Sequence, residues 1–130
     1  MGIQDREHIE IKTARAFTSW LTKNHSKSEG LWVITYKKAS GAPAPSYDEM
    51  VKEALRFGWV DSRSQKVDEF RTKLYFSPRK KGSGWSASNM SRIEELLAAG
   101  KMEPSGLKVL EAARQDGSWN KLDRFNAEGR

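Results

Sequence analysis

The 130-residue chain contains no cysteine. That excludes disulfides, thiol nucleophiles and Cys-ligated zinc, and it fits a reducing, cytoplasmic setting. Histidine is scarce too: His8 and His25 are the only two, and they lack the paired spacing of metal ligands, so neither metal nor cofactor is expected. Long apolar runs are missing. No window approaches the roughly 18 or more apolar residues of a membrane span. The opening MGIQDREHIEIK is charged rather than apolar, so no secretory signal is expected. Arg6 stands where a myristoylation motif needs Ser or Thr. Also absent are an internal repeat, a heptad run, a Walker loop, a nucleophile elbow, a helix-turn-helix, an RNP motif and a zinc knuckle.

What is present is charge and aromatic bulk. Charged residues make up 31% and aromatics 10%, with 23 Lys and Arg against 17 Asp and Glu for a net charge of +6. The aromatic content argues for a folded core. A chain of this size buries roughly two-thirds of its unfolded surface without staples. The basic excess favours anionic ligands or polyanions as partners, the plain alternative being a solubility surface. One domain over residues 13–119 is the natural reading, with a flexible stretch at 1–12 and a loose tail at 120–130.

The periodicities predict an α+β fold. Thr13 can cap a helix over 14–24, whose Phe17, Trp20 and Leu21 share a face. LWVITYKK (31–38) reads as a strand covered on both faces, hence a central one. Ser46 and Glu49 form a capping box before a helix over 47–57, striped by Tyr47, Met50, Val51, Ala54 and Leu55 and ended by Gly58. WVDS (59–62) and the run to Phe76 can pair as a hairpin across SRSQK, with Phe70, Thr72, Leu74 and Phe76 inward. Helices over 88–99 and 105–115 follow, with Met90, Ile93, Leu96 and Leu97 and then Leu107, Leu110 and Ala113 as their apolar stripes. Trp119 folds back as a plug. Ile9 and Ile11 allow a further short strand. The expected sheet is small, mainly antiparallel and three-stranded, from 31–37, 59–63 and 70–76, packed with about four helices.

The residues with most chemical promise lie between Phe57 and Asn89. This stretch holds Trp59, Trp85 and seven of the basic residues. RKKGSGWSASN is a Gly-containing turn entering a helix, where unpaired backbone N–H groups and the positive end of the helix dipole face outward. Arg79, Lys80 and Lys81 add charge; Ser83, Ser86 and Asn89 add hydroxyl and amide contacts. Together they suit a phosphate or carboxylate, the alternative being a helix cap behind a solvated turn. Asp61, at the end of Trp59-Val60-Asp61, could act as acid or base, or simply cap a turn or pair with an Arg. Basic and aromatic residues interleaved at Arg71, Lys73, Tyr75, Arg79 and Trp85 could grip a single strand of nucleic acid. A triad of Ser62 or Ser86 with His25 and Asp61 is formally available but has no supporting motif.

Several of these segments carry a resemblance. Phe17…Trp20-Leu21, Leu31-Trp32-Val33, Ala54-Leu55, Phe57-Gly58-Trp59-Val60-Asp61-Ser62, Ser77-Pro78-Arg79…Ser83…Trp85-Ser86…Asn89 and Gly100…Met102…Pro104…Gly106 together resemble the YdeI/OmpD-associated, or bacteriocin-protection, family, over roughly residues 17–119. Arg56 departs from it, standing where many relatives have Cys. The resemblance implies a small intracellular bacterial protein linked to tolerance of bacteriocins or cationic antimicrobial peptides. It implies no established enzyme activity.

The resulting expectation is a cytoplasmic stress-tolerance protein that binds an anionic ligand or partner and is not an enzyme. Its ligand surface would comprise Trp59, Asp61, Arg79, Lys80, Lys81, Ser83, Trp85, Ser86 and Asn89. The alternatives are a nucleic-acid module on the basic 71–89 strand and loop, and a small-molecule enzyme using Asp61. A protein partner is possible; the oligomeric state is not readable.

Overall fold

Thr13 opens the first helix by accepting a hydrogen bond from the Ala16 amide at 3.2 Å, and Ser46 and Glu49 close the reciprocal bonds of a capping box at 3.1 and 2.9 Å. Around such local signals the computed structural model, which describes residues 2–120, is α+β with four helices and one four-stranded sheet. In chain order the elements are β1 (Glu7–Glu10), α1 (Ala14–Asn24), β2 (Leu31–Tyr36), α2 (Tyr47–Arg56), β3 (Trp59–Lys66), β4 (Arg71–Pro78), α3 (Ala87–Ala98) and α4 (Pro104–Asp116). No helix among the described residues is long and apolar enough to cross a membrane.

The chain divides into two compact units where the sequence suggests one domain. Among the described residues the first holds 2–54 and 59–78, the second 55–58 and 79–120.

The first unit is built on the sheet, in the order β1-β2-β4-β3. It is mixed and four-stranded, not the three-stranded, mainly antiparallel sheet expected. The added strand is β1, which runs parallel to β2 from the Glu7↔Leu31 pair to Glu10↔Ile34. Parallel neighbours need a crossover, and α1 supplies it. Residues 7–10 therefore belong to the sheet rather than to a frayed end. The alternation of Ile9 and Ile11 allowed a short strand here, but its mostly polar composition gave no sign that it joins the sheet.

The inner position expected for β2 is observed, with β1 on one side and antiparallel β4 on the other. Leu31, Trp32 and Val33 are all buried. On one sheet face α1 seats Phe17 against Phe76 (ring centroids 4.8 Å) and Trp20 edge-on to Trp59 (5.6 Å). On the other, Trp32 packs on Tyr75 at 5.1 Å. The β3–β4 hairpin turns at residues 67–70, later than the sequence suggested. Its register shifts between Asp61 and Arg63, leaving Ser62 as the extra residue of a bulge. Phe70 sits at that turn and is 46% exposed, not inward.

The second unit joins the last turn of α2 to α3 and α4. Gly58, at φ 83°, ends α2 in the left-handed region that glycine enters without strain. Its carbonyl then accepts from the Arg79 amide at 3.0 Å. Arg56 anchors the α3–α4 connection: Nε donates to the Lys101 carbonyl at 2.8 Å and Nη2 meets Glu103 at 3.0 Å. Ile93, Leu96, Leu110 and Ala113 form its core with Trp85 and Trp119. Leu97 and Leu107, expected in the apolar stripes, are 37% and 44% exposed.

Candidate functional site

Pro78 ends β4, and the chain then makes a tight turn over 80–83. Gly82 sits at φ 82°. The Ser83 amide and hydroxyl both donate to the Lys80 carbonyl, at 3.3 and 2.8 Å. Such a turn holds Arg79, Lys80 and Lys81 on one short segment. Three residues later the chain buries Trp85, only 2% exposed, against Trp119 with ring centroids 5.1 Å apart. Trp119 thus plugs the unit, as the sequence suggested.

Arg79 connects the basic turn to this aromatic pair. Its guanidinium carbon lies 3.7 Å from the centroid of the Trp85 ring, a close cation–π contact. Nη2 donates to the Gly84 carbonyl at 2.5 Å. The Nε–H is buried and has no acceptor. No carboxylate among the described residues pairs with Arg79, and burial alone pulls its pKa below the ordinary arginine value. A buried donor left without an acceptor carries a desolvation penalty.

These groups open onto a recess of about 240 Å³ in the second unit. One wall is the 79–83 segment with Trp85. The other is α4, through Lys108, Val109, Ala112, Ala113 and Asp116. Positions 108, 112 and 116 recur at i, i+4 and i+8, so they line up along one helix face. Two consecutive alanines keep that face low, and the hollow results. Asp116 places a carboxylate in the lining and accepts from the Ser118 amide at 2.8 Å.

Of the nine residues expected to form the ligand surface, Arg79, Lys80, Lys81, Ser83 and Trp85 line this recess. Ser86 and Asn89 do not. Ser86 is the N-cap of α3 and accepts from the Asn89 amide at 3.2 Å, while the Asn89 carboxamide oxygen accepts from Arg92 at 2.8 Å. Both side chains serve the first turn of the helix, which is the cap alternative weighed above. Trp59 and Asp61 belong to the first unit. Trp59 is buried beside Trp20, and Asp61 accepts a hydrogen bond from the Tyr47 hydroxyl at 2.7 Å.

The basic-aromatic series splits the same way. In the first unit Arg71 is held by Asp68 and Glu10 at 2.7 and 2.9 Å; these bonds hold both carboxyls below their ordinary range. Lys73 lies 4.4 Å over the Trp32 ring, and Tyr75 is buried. Neither aromatic of the series, Tyr75 or Trp85, offers an exposed ring on which a base could stack. His25 contacts the Leu21 carbonyl of its own helix through Nδ1 at 2.8 Å. Among the described residues no three His, Asp or Glu side chains are grouped to hold a metal ion.

Sequence reasoning missed the α4 wall, Lys108 above all. Of the stripe it recognised, Leu110 is in the core, Leu107 is exposed, and Ala113 is buried at the edge of the recess. The recess-facing stripe mixes Lys, Val, Ala and Asp. Its signal was the run of two small residues beside a lysine one turn earlier, visible only once the facing loop is known.

No curated protein and no solved structure matches the chain. A family model described as a domain of unknown function (DUF8412) matches residues 9–109, from the end of β1 into α4, and the chain belongs to that family.

Proposed function

We propose that this protein is a binding module for an anionic ligand, held in the recess between the 79–83 turn and α4. The observation that carries the reading is Arg79: a guanidinium fixed over Trp85, without a carboxylate partner and with a buried N–H lacking an acceptor. Lys80, Lys81 and Lys108 surround it with further positive charge. The role is binding rather than catalysis: four cations, the Trp85 ring and apolar α4 side chains outweigh the single carboxylate of Asp116 in the lining.

The wider setting rests on the resemblance to the YdeI/OmpD-associated proteins. In it the chain is a cytoplasmic bacterial protein contributing to tolerance of bacteriocins or antimicrobial peptides. At net charge +6 it would repel cationic peptides, so protection would run through the bound anion or a partner it controls.

The test separates binding from folding. Lys81 and Lys108 are exposed, so Lys81→Glu combined with Lys108→Glu is expected to leave the melting temperature within a few degrees of the parent. Affinity for inorganic phosphate and for phenyl phosphate, followed through backbone amide resonances, is expected to fall at least tenfold. Equal affinity in parent and variant would refute the site.

A further inference from the structure

The recess also constrains what the anion is attached to, an inference that rests on the reading above. We infer that the ligand is a small organic anion, a carboxylate or phosphate ester on a single ring or a short apolar chain. Neither a free inorganic ion nor a polyanion fits as well.

Size sets the upper limit. Pockets for drug-sized molecules run from about 300 to 1,000 Å³, and this one is about 240 Å³. A peptide side or an oligonucleotide would leave most of itself outside. Wall chemistry sets the lower limit. Opposite the cationic segment stand Val109, Ala112 and Ala113, with the Trp85 ring at the base. An inorganic phosphate could satisfy Arg79 and would leave those apolar surfaces wet. An apolar body on the anion would cover them, and burial of apolar area adds affinity in proportion to the area removed from water.

The arrangement is directional as well. Arg79, Lys80 and Lys81 stand on one wall and Lys108 on the other, while Val109, Ala112 and Ala113 give the α4 wall its apolar part. The anionic head therefore seats against the cations of the 79–81 segment and Lys108, and the body extends along α4 over Ala112. A substituent at position 112 should occupy the space of the body and not that of the head.

The experiment is a titration series on the full chain, read by amide and indole N–H resonances: phenyl phosphate, benzoate, inorganic phosphate and phenol. The expected order places phenyl phosphate and benzoate at least tenfold tighter than either inorganic phosphate or phenol. Ala112→Leu should weaken the two organic anions at least fivefold and leave inorganic phosphate unchanged. Ala112 is exposed, so this variant is expected to fold; its melting temperature is measured alongside. If inorganic phosphate binds as tightly as phenyl phosphate, and the Lys81→Glu, Lys108→Glu variant weakens both, the anion site stands and the organic-ligand inference is overturned. If no anion in the series moves any recess resonance, both readings fall.

Discussion

Replacing Trp85 by alanine is expected to destabilise the protein by about 3–5 kcal/mol, the usual cost of deleting a large buried aromatic ring. The ring is almost fully buried and does two jobs at once. It packs on Trp119, and it supports the Arg79 guanidinium from below. Truncation therefore removes apolar packing and leaves a cation above a void. Trp85→Phe keeps an aromatic face under Arg79 and loses less volume, so its cost should be clearly smaller and anion binding should partly survive. Chemical denaturation of the two variants against the parent measures the difference. A loss below about 1 kcal/mol for the alanine variant would mean that the aromatic pair does not hold the second unit together.

A second large effect is expected at Gly106, inside α4. On an exposed helix, glycine to alanine gains roughly 1 kcal/mol from backbone entropy and helix propensity. Here the sign should reverse. A Cβ at 106 would fall on the carbonyl oxygen of Arg56, with the Met102 methyl 2.9 Å away on another side. Neither α4 nor the Arg56 carbonyl can easily move aside. That carbonyl accepts from the Glu103 amide at 3.0 Å, Arg56 is paired with Glu103, and the Ser105 hydroxyl donates to the Phe57 carbonyl at 2.9 Å. Forced overpacking of this kind costs about 1–3 kcal/mol. Gly106→Ala should thus lower stability, and it should weaken phenyl phosphate binding, because displacing α4 carries Lys108 and Val109 away from Arg79. A stabilised variant with unchanged binding would contradict the close packing of α4 on the end of α2.

Much of the fold was legible because its signals are local. Helix caps at Thr13 and Ser46 need only a hydroxyl and a free amide within one turn, and the left-handed stop at Gly58 needs only the residue itself. Burial of β2 on both faces follows from its unbroken apolar run. The place of β1 in the sheet escaped, although a short strand was allowed there, because a parallel edge strand acquires its position from its neighbour, through a register running from Glu7 to Glu10 that four mostly polar residues do not announce. Phe70 and Leu107 were misjudged for a related reason: alternation and helical period predict which residues share a face, not whether anything covers it.

The site was half legible. The basic turn and Trp85 are contiguous in sequence, so their proximity was guaranteed. The choice between dipole and side chains was not. Ser86 and Asn89 were expected to meet the anion and instead complete the cap of α3. The opposite wall comes from α4, more than 20 residues further on, and only folding brings Lys108 and Ala112 to face Arg79. The unpartnered, buried Nε–H of Arg79 is a property of packing that no sequence pattern encodes.

The most direct measurement is a ¹⁵N correlation spectrum recorded while benzoate is added, following the Lys81, Ser83, Lys108 and Val109 amides and the Trp85 indole N–H, all of residues that line the recess. If the anion is bound there, these resonances should shift together and saturate at one dissociation constant. Recess resonances that stay fixed while others titrate would place the anion elsewhere and contradict the account.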